Sequence, residues 1–279
     1  MTAQNKTSKV ALVTGGSSGM GKDFAKALLK EGYVVYTVAR RLEQMDDLKK
    51  LGAYTLKMDV TREEDVRQVV DTIKAQHGHV DVLINNAGFG LYGAMEDITI
   101  DEARYQFEVN IFGLATITQM LLPGMREQRS GKIINISSVG GKVYTPLGSW
   151  YHATKHALEG WSDSLRLELK QFNIDVVVIE PGAIKTGFGD IMIKPMVKRS
   201  GNGPYGQIAN GLAKSTMDIY AKNQASEPEV ITDLIVKAVR AKKPKTRYVA
   251  GAFAKPMIFI RKWFGDRVFD RVVMASLGK

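Results

Sequence analysis

Six short apolar runs, each separated from the next by a segment with helical spacing, limit the folds open to this chain. Lys9 to Thr14, Tyr33 to Val38, Ala53 to Met58, Val80 to Ile84, Lys132 to Ile136 and Asp175 to Ile179 are rich in β-branched residues and mostly lack polar alternation. Strands apolar on both sides need cover on both faces, which a parallel sheet flanked by its crossover helices supplies. The intervening stretches Lys22 to Lys30, Glu43 to Leu51, Glu63 to His77, Asp101 to Arg126 and Trp150 to Phe172 provide those helices. The expected architecture is α/β, a doubly wound parallel sheet formed by one domain over 1–279. No repeat or linker divides it. The Gly- and Pro-rich stretch Gly187 to Gly211 reads as a mobile loop, within a substrate-loop region of 187–225, over the carboxyl ends of the strands where such sheets bind ligands.

Between the first strand and the first helix lies Thr14-Gly15-Gly16-Ser17-Ser18-Gly19-Met20-Gly21. Backbone amides and the positive end of a helix dipole suit a pyrophosphate there, and small residues allow it to approach closely. The spacing differs from the common G-x-G-x-x-G fingerprint, since three residues separate Gly15 from Gly19.

Further along, Tyr151 and Lys155 stand at i and i+4 near the start of a helix, with Ser138 thirteen residues upstream. Residues four apart share a helix face, so a phenol and an ammonium can enter one cleft. A nearby cation lowers the pKa of a buried phenol by roughly 1–3 units, bringing it towards working pH. His152 and His156 flank the pair without a carboxylate at metal-ligand spacing, and read as packing histidines with no metal site.

Taken together, Thr14-Gly15-Gly16-Ser17-Ser18-Gly19-Met20-Gly21, Asn85-Asn86-Ala87-Gly88, Asn110, Ser138, Tyr151-x-x-x-Lys155, Pro181-Gly182 and Thr186 resemble the short-chain dehydrogenase/reductase family over about 8–187. The resemblance implies a Rossmann-like sheet and an oxidoreductase using NADP(H) or NAD(H). Tyr151 would be the general acid/base, Ser138 would hold the substrate oxygen, and Lys155 would lower the phenol's pKa and contact the nicotinamide ribose. Asn110 would anchor a water in a proton relay. Ser137 competes with Ser138, but only the latter has the family's offset to Tyr151.

The resemblance further assigns Gly15, Ser17, Ser18, Gly19, Met20 and Gly21 to the cofactor phosphates. Asp59 and Val60 would lie against the adenine, and Asn86, Ala87 and Gly88 along the adenosine. Pro181, Gly182, Ile184 and Thr186 would close on the nicotinamide. Arg40 and Arg41, where relatives that prefer NAD carry an acid, favour NADP(H), because a guanidinium matches a 2′-phosphate. An N-terminal cap on the next helix belongs to Thr61, leaving Asp59 available. Phe89, Leu91, Val143, Tyr144 and Phe188 are either substrate walls or core. The expected substrate is a lipophilic ketone, aldehyde or alcohol, and the expected assembly a homodimer or homotetramer through the two long helices. A non-catalytic dinucleotide-binding or redox-sensing module on the same fold is the competing reading, which fold alone does not exclude.

Charge and composition narrow the partners. The chain has no cysteine and no apolar run near 18 residues, and its first nine residues lack a signal core, so a reducing, cytoplasmic setting is expected. Its formal charge of +10 is concentrated in Lys237 to Lys279, where twelve Lys or Arg face two acids. A basic tail without a nucleic-acid motif argues against a nucleic-acid partner. The basic, amphipathic stretch 253–279 reads either as a helix packed on the body or as a peripheral membrane contact.

Overall fold

The computed structural model describes residues 8–277. Seven parallel strands form one sheet in the order β3-β2-β1-β4-β5-β6-β7, with β1 Val10–Thr14, β2 Val34–Ala39, β3 Tyr54–Lys57, β4 Val82–Asn85, β5 Gly131–Ile136, β6 Ile174–Pro181 and β7 Arg247–Ala250. The order reverses between β1 and β4, which opens a crevice at their carboxyl ends. Helices α1 Gly19–Lys30, α2 Asp46–Lys50, α3 Glu63–His77, α4 Ile100–Phe107, α5 Gly113–Gln128 and α6 Ser149–Leu169 follow the expected positions. Beyond them lie α7 Phe188–Ser200, α8 Gly206–Ala221, α9 Glu229–Arg240 and α10 Ala254–Ser276.

The continuous apolarity of the strands is explained by two buried layers. Ala11 and Val13 of β1 pack with Phe24 and Leu28 of α1 and Ile231 and Ile235 of α9. Val10 and Leu12 face the opposite layer, with Val69 and Ile73 of α3, Ile117 and Leu121 of α5 and Leu165 of α6. Leu12 is fully buried, so its truncation to Ala costs about 2–5 kcal/mol. Helix α3 spans the expected residues because its charges suit its dipole: Glu63, Glu64 and Asp65 open it, Lys74 and His77 close it, and Gly78 ends it at φ 80°.

Three expectations change. The stretch 187–211 is not a loop: α7 and the start of α8 occupy it, because Met192, Ile193 and Met196 recur at helical spacing and bury against Ala209, Leu212 and Ala213. Pro195 is accommodated within α7. The long helix over 101–126 is interrupted by a π-turn, Glu108–Phe112, which separates α4 from α5. The seventh strand, Arg247–Ala250, is four residues long among lysines and pairs only with β6, so it lacks a strong apolar signature.

At the carboxyl terminus the described chain forms α10, which Gly265 breaks at φ 73°, ψ −175°. Phe269 and Val273 bury against Val143, so part of this segment packs on the body. No described helix is long and apolar enough to cross a membrane.

Candidate active site

The Gly-rich turn is fastened to its neighbours by backbone bonds. Gly15 and Gly16 N–H groups donate to Val38 O at 2.9 and 3.2 Å, tying the turn to the end of β2. Gly15 sits at φ 72°, and a Cβ there would lie 2.9 Å from Ala87 Cα, while one on Gly21 would lie 2.4 Å from Gly15 O. Asn86 Nδ2 donates to Thr14 O at 3.0 Å, and the Asn86 and Ala87 amides donate to Thr14 Oγ1 at 3.0 Å. The stretch Asn86-Ala87-Gly88 thus lies directly against the turn. Ser18 precedes α1 in extended conformation without a side-chain capping bond, and no acid lies in the first helical turn. Those amides and the helix dipole present a surface suited to a phosphate group.

At the end of β2, Arg40 and Arg41 are exposed, and Arg40 donates to Tyr105 Oη of α4 at 2.8 Å. Asp59 accepts from Thr61 N at 3.0 Å and Thr61 Oγ1 at 2.8 Å, while its own N–H donates to Asp65 Oδ2. Helix α3 begins two residues after Thr61, with Arg62 at the N-cap position, so the expected Thr61 cap does not form. Val60 instead packs where α5 begins: a Cβ on Gly113 would lie 2.7 Å from Val60 O.

Across the crevice, Gly182 N–H donates to Ala250 O at 2.8 Å, holding the end of β6 to β7. Thr186 returns towards the Gly-rich turn, its Cβ 3.9 Å from where a Cβ on Gly19 would lie. The Ile184 side chain is buried in the core with Ile179 and Tyr248. Of the expected wall residues, Leu91 packs with Ile98 and Ala103, while Val143 packs with Phe269. The Phe89 ring lies tilted against Tyr105, 5.8 Å between centres, and Tyr144 packs edge-on against Phe269. Phe188's side chain lies outside the described residues.

Tyr151, Ser138 and Lys155 are brought together at the start of α6. Ser138 Oγ accepts from Gly140 N–H at 3.0 Å and hydrogen-bonds the Tyr151 phenol. Ser137 Oγ instead lies beside Gly141, consistent with Ser138 as the partner. Lys155 Nζ donates to Ile136 O at 2.9 Å and stands 6.0 Å from the centre of the Tyr151 ring. Burial raises the Tyr151 phenol above its ordinary value, opposed by Ser138. Burial also lowers Lys155 to about 8, opposed by Glu159 one turn away. Desolvation is thus the larger influence on the phenol, and the Ser138 hydrogen bond the one that opposes it.

Asn110 lies at the π-turn. Its Nδ2 donates to Phe89 O at 3.0 Å and Thr154 Oγ1 at 3.1 Å, and its Oδ1 accepts from Phe89 N–H at 3.1 Å. Its side chain therefore positions the loop after β4 against α6. π-turns frequently mark functional sites.

His152 clamps the Ser138 loop. Thr145 N–H donates to Nε2 at 3.0 Å, so that nitrogen is the acceptor and Nδ1–H donates to Gly140 O at 3.0 Å. Burial lowers its pKa and favours this neutral form. Tyr92, whose hydroxyl hydrogen-bonds Thr145, lies 5.5 Å from Tyr151 between ring centres, and Leu147, Met192 and Ile193 complete that apolar cluster. Only their apolar character marked the α7 residues in the sequence, and their place beside Tyr151 depends on a helix that was not foreseen.

Behind Lys155 lies a buried charge cluster. Glu159 Oε2 meets Lys142 Nζ at 2.9 Å and Arg247 Nε at 2.9 Å, while Glu180 Oε1 lies 3.2 Å from Arg247 Nε. Arg247 also pairs with Asp163 at 2.7 Å. Desolvation, then Glu159, raise Glu180 to about 7, against the pull of Lys142 and Arg247.

Residues 9–193 match the family model for short chain dehydrogenases. The chain belongs to the short-chain dehydrogenase family. This short-chain dehydrogenase is 34% identical over 270 residues to a probable short-chain type dehydrogenase/reductase, VdlC, of Helicobacter pylori, covering 95% of this chain and 98% of that protein. It is 43% identical over 182 residues to 3-ketodihydrosphingosine reductase of Bacteroides thetaiotaomicron, covering 65% of this chain and 66% of the other. A short-chain dehydrogenase crystal structure from Streptomyces avermitilis superposes with a TM-score of 0.81 at 33% identity, covering 98% and 96% of the two chains. The closed form of a serine dehydrogenase complexed with NADP+ superposes with a TM-score of 0.75 at 27% identity, covering 87% and 94%. Membership accounts for the conjunction of the Gly-rich turn, the Ser138 loop and the Tyr151-Lys155 pair in one short-chain dehydrogenase.

Proposed function

We propose that the enzyme interconverts a lipophilic ketone and its secondary alcohol with NADP(H). The observation that carries this reading is the buried Tyr151 phenol, hydrogen-bonded to Ser138, beside Lys155 and against the apolar cluster of Tyr92, Leu147 and Met192. Such a site offers a proton and two polar partners to one oxygen while excluding water from the rest of the molecule.

The crevice fits a dinucleotide. The uncapped, acid-free start of α1 can receive phosphate oxygens, and the close packing at Gly15 and Gly21 keeps side chains out of that space. Arg40, steadied by Tyr105, is in place for a 2′-phosphate, and the NADP+ complex of the serine dehydrogenase supports the same choice. Bound there, NADP(H) supplies or accepts the hydride. Gly182 and Thr186 flank the nicotinamide end, and Asn86-Ala87-Gly88 the adenosine end. Asp59 and Val60 flank the adenine.

In the reductive direction Ser138 Oγ–H donates to the substrate oxygen, and Tyr151 Oη–H delivers the proton as the alkoxide develops. The Lys155 ammonium stabilises the phenolate left behind, and Asn110 fixes the loop facing α6. The hydrocarbon cluster beside Tyr151 and the likeness to 3-ketodihydrosphingosine reductase favour a long-chain ketone. We read the exposed apolar groove between Ile100, Phe112 and Trp150 as the contact for a second copy of the chain, in a homodimer or homotetramer.

Loss of NADPH absorbance with a panel of ketones, including a 3-keto sphingoid base and short-chain ketones, tests the assignment. Wild type should consume NADPH with the long-chain ketone, and Tyr151→Phe should not. Equal rates in the two proteins, or no turnover of any ketone by wild type, would overturn it.

A further inference from the structure

The carboxyl-terminal helix divides its apolar residues between two destinations. Phe269 and Val273 are buried against the body, yet Phe259, Trp263, Phe264, Val268 and Val272 remain 37–67% exposed. Three of these form one cluster, with Phe259 ring centres 6.4 Å from Trp263 and 6.1 Å from Phe264. The interruption at Gly265 separates 254–264 from 266–276, and the aromatic cluster closes the first half. Packing on the body covers one side of both halves, through Met257, Ile258 and Ile260 as well as Phe269 and Val273, and leaves the aromatic cluster uncovered.

Exposed basic side chains share this helix with the cluster. Lys255, Lys262, Arg267 and Arg271 are exposed, and Lys262 Nζ stands 5.3 Å from the Trp263 ring. The two acids of the segment are engaged: Asp266 pairs with Arg261, and Asp270 accepts from Tyr144 Oη at 2.9 Å. The exposed part of this helix consequently carries large aromatic rings and several basic side chains, one of them directly beside Trp263. Large rings with Lys and Arg at their margins match the boundary between acyl chains and anionic headgroups, where rings enter the interface and cations remain at the headgroups.

From this combination we infer that α10 docks the enzyme on an anionic lipid bilayer through Phe259, Trp263 and Phe264. A two-fold related copy would set Lys255, Lys262, Arg267 and Arg271 against the same cations, because an isologous contact is self-facing. A bilayer bearing negative headgroups offers the complementary charge.

The position of α10 ties this surface to the crevice. Its first residue, Ala254, is fully buried and lies 3.0 Å from where a Cβ on Gly182 would stand. Its middle rests on Tyr144, which follows the Ser138 loop: Arg261 lies 5.3 Å above that ring, and Phe269 5.1 Å away. Leu277, just beyond the helix, reaches α8 beside Gly211. Helix α10 therefore runs from the end of β6 past the Ser138 loop to α8. This inference concerns where the enzyme sits and stands apart from its choice of ketone.

Vesicle co-sedimentation of the full chain tests it, using phosphatidylglycerol/phosphatidylcholine vesicles and pure phosphatidylcholine vesicles at low and high salt. Wild type should partition at least tenfold more strongly to the anionic vesicles at low salt, and high salt should remove most of that preference. Replacing Phe259, Trp263 and Phe264 by Ser should lower partitioning at least tenfold while leaving turnover of a water-soluble ketone unchanged. Should that variant fold poorly, Lys255→Glu, Lys262→Glu and Arg267→Glu together test the same face, with the same loss expected. Absence of sedimentation by wild type, equal binding to both vesicle types or undiminished binding by the folded variants would overturn the inference. A lower solution mass for either variant than for wild type, measured by light scattering without lipid, would also overturn it, by assigning the face to a second copy.

Discussion

Glu180 is a carboxylic acid that the folded chain keeps protonated at pH values where the unfolded chain does not. Its side chain is 2% exposed and shares Arg247 with Glu159 and Asp163. Desolvation and Glu159 hold it at about 7, against an ordinary value of 4.5. Below pH 4.5 both states carry the proton, and its effect on stability is fully favourable. Between pH 4.5 and 7 the unfolded chain has released the proton while the folded chain retains it, so stability falls by about 1.4 kcal/mol per pH unit. Above pH 7 both have released it and the loss levels off. Integrated from pH 5 to 8, this amounts to about 2.5 kcal/mol. Glu180→Gln keeps the shape and removes the titration, so the stability difference between wild type and variant should move by that amount in the variant's favour over this range. Urea unfolding of both proteins at half-unit pH intervals measures it, with subtraction removing most of the contribution from other groups. A difference that stays within about 0.5 kcal/mol from pH 5 to 8 would refute the assignment of the proton to Glu180.

Other variants probe the site directly. Tyr151→Phe should lower kcat by about 10²–10⁴-fold with little change in NADPH binding, as followed by fluorescence titration. Since burial holds Lys155 at about 8, kcat/KM for NADPH-driven reduction by the free enzyme should decline as pH rises through that value, and Lys155→Arg should move the decline upward. Arg40→Ala should raise the KM for NADPH at least tenfold and leave that for NADH nearly unchanged; equal shifts would remove Arg40 from 2′-phosphate recognition. His152→Phe deletes the ring's hydrogen bonds with Gly140 and Thr145 and should cost about 1–3 kcal/mol of stability, together with a fall in kcat that exceeds any change in KM.

The parallel sheet was legible because fully buried strands leave an unbroken apolar record, and the spacing of Ser138, Tyr151 and Lys155 survives in three dimensions as one cluster. What was hidden depends on distant segments. Met192 and Met196 read as loop residues among glycines because nothing local shows that Ala209 and Leu212 will cover them. Thr61 looked like a cap because hydroxyl residues favour such positions, but Asp59 captured its N–H and hydroxyl. For Tyr151, the charge at i+4 was visible but the degree of desolvation was not.

The π-turn at Glu108–Phe112 has a consequence for how these helices can vary. One added residue advances an α-helix by about 100°, so the wider turn sets the phase of α4 independently of α5. Upstream of it, Gln106 Nε2 reaches Phe89 O at 3.0 Å beside the crevice, whereas downstream Ile117 and Leu121 enter the sheet core. Removing a single residue from this turn would yield a regular helix in which either the crevice-facing or the core-facing side chains point in the wrong direction. The irregular turn works as a phase coupling, allowing one rod to meet a binding cleft with one half and a hydrophobic layer with the other.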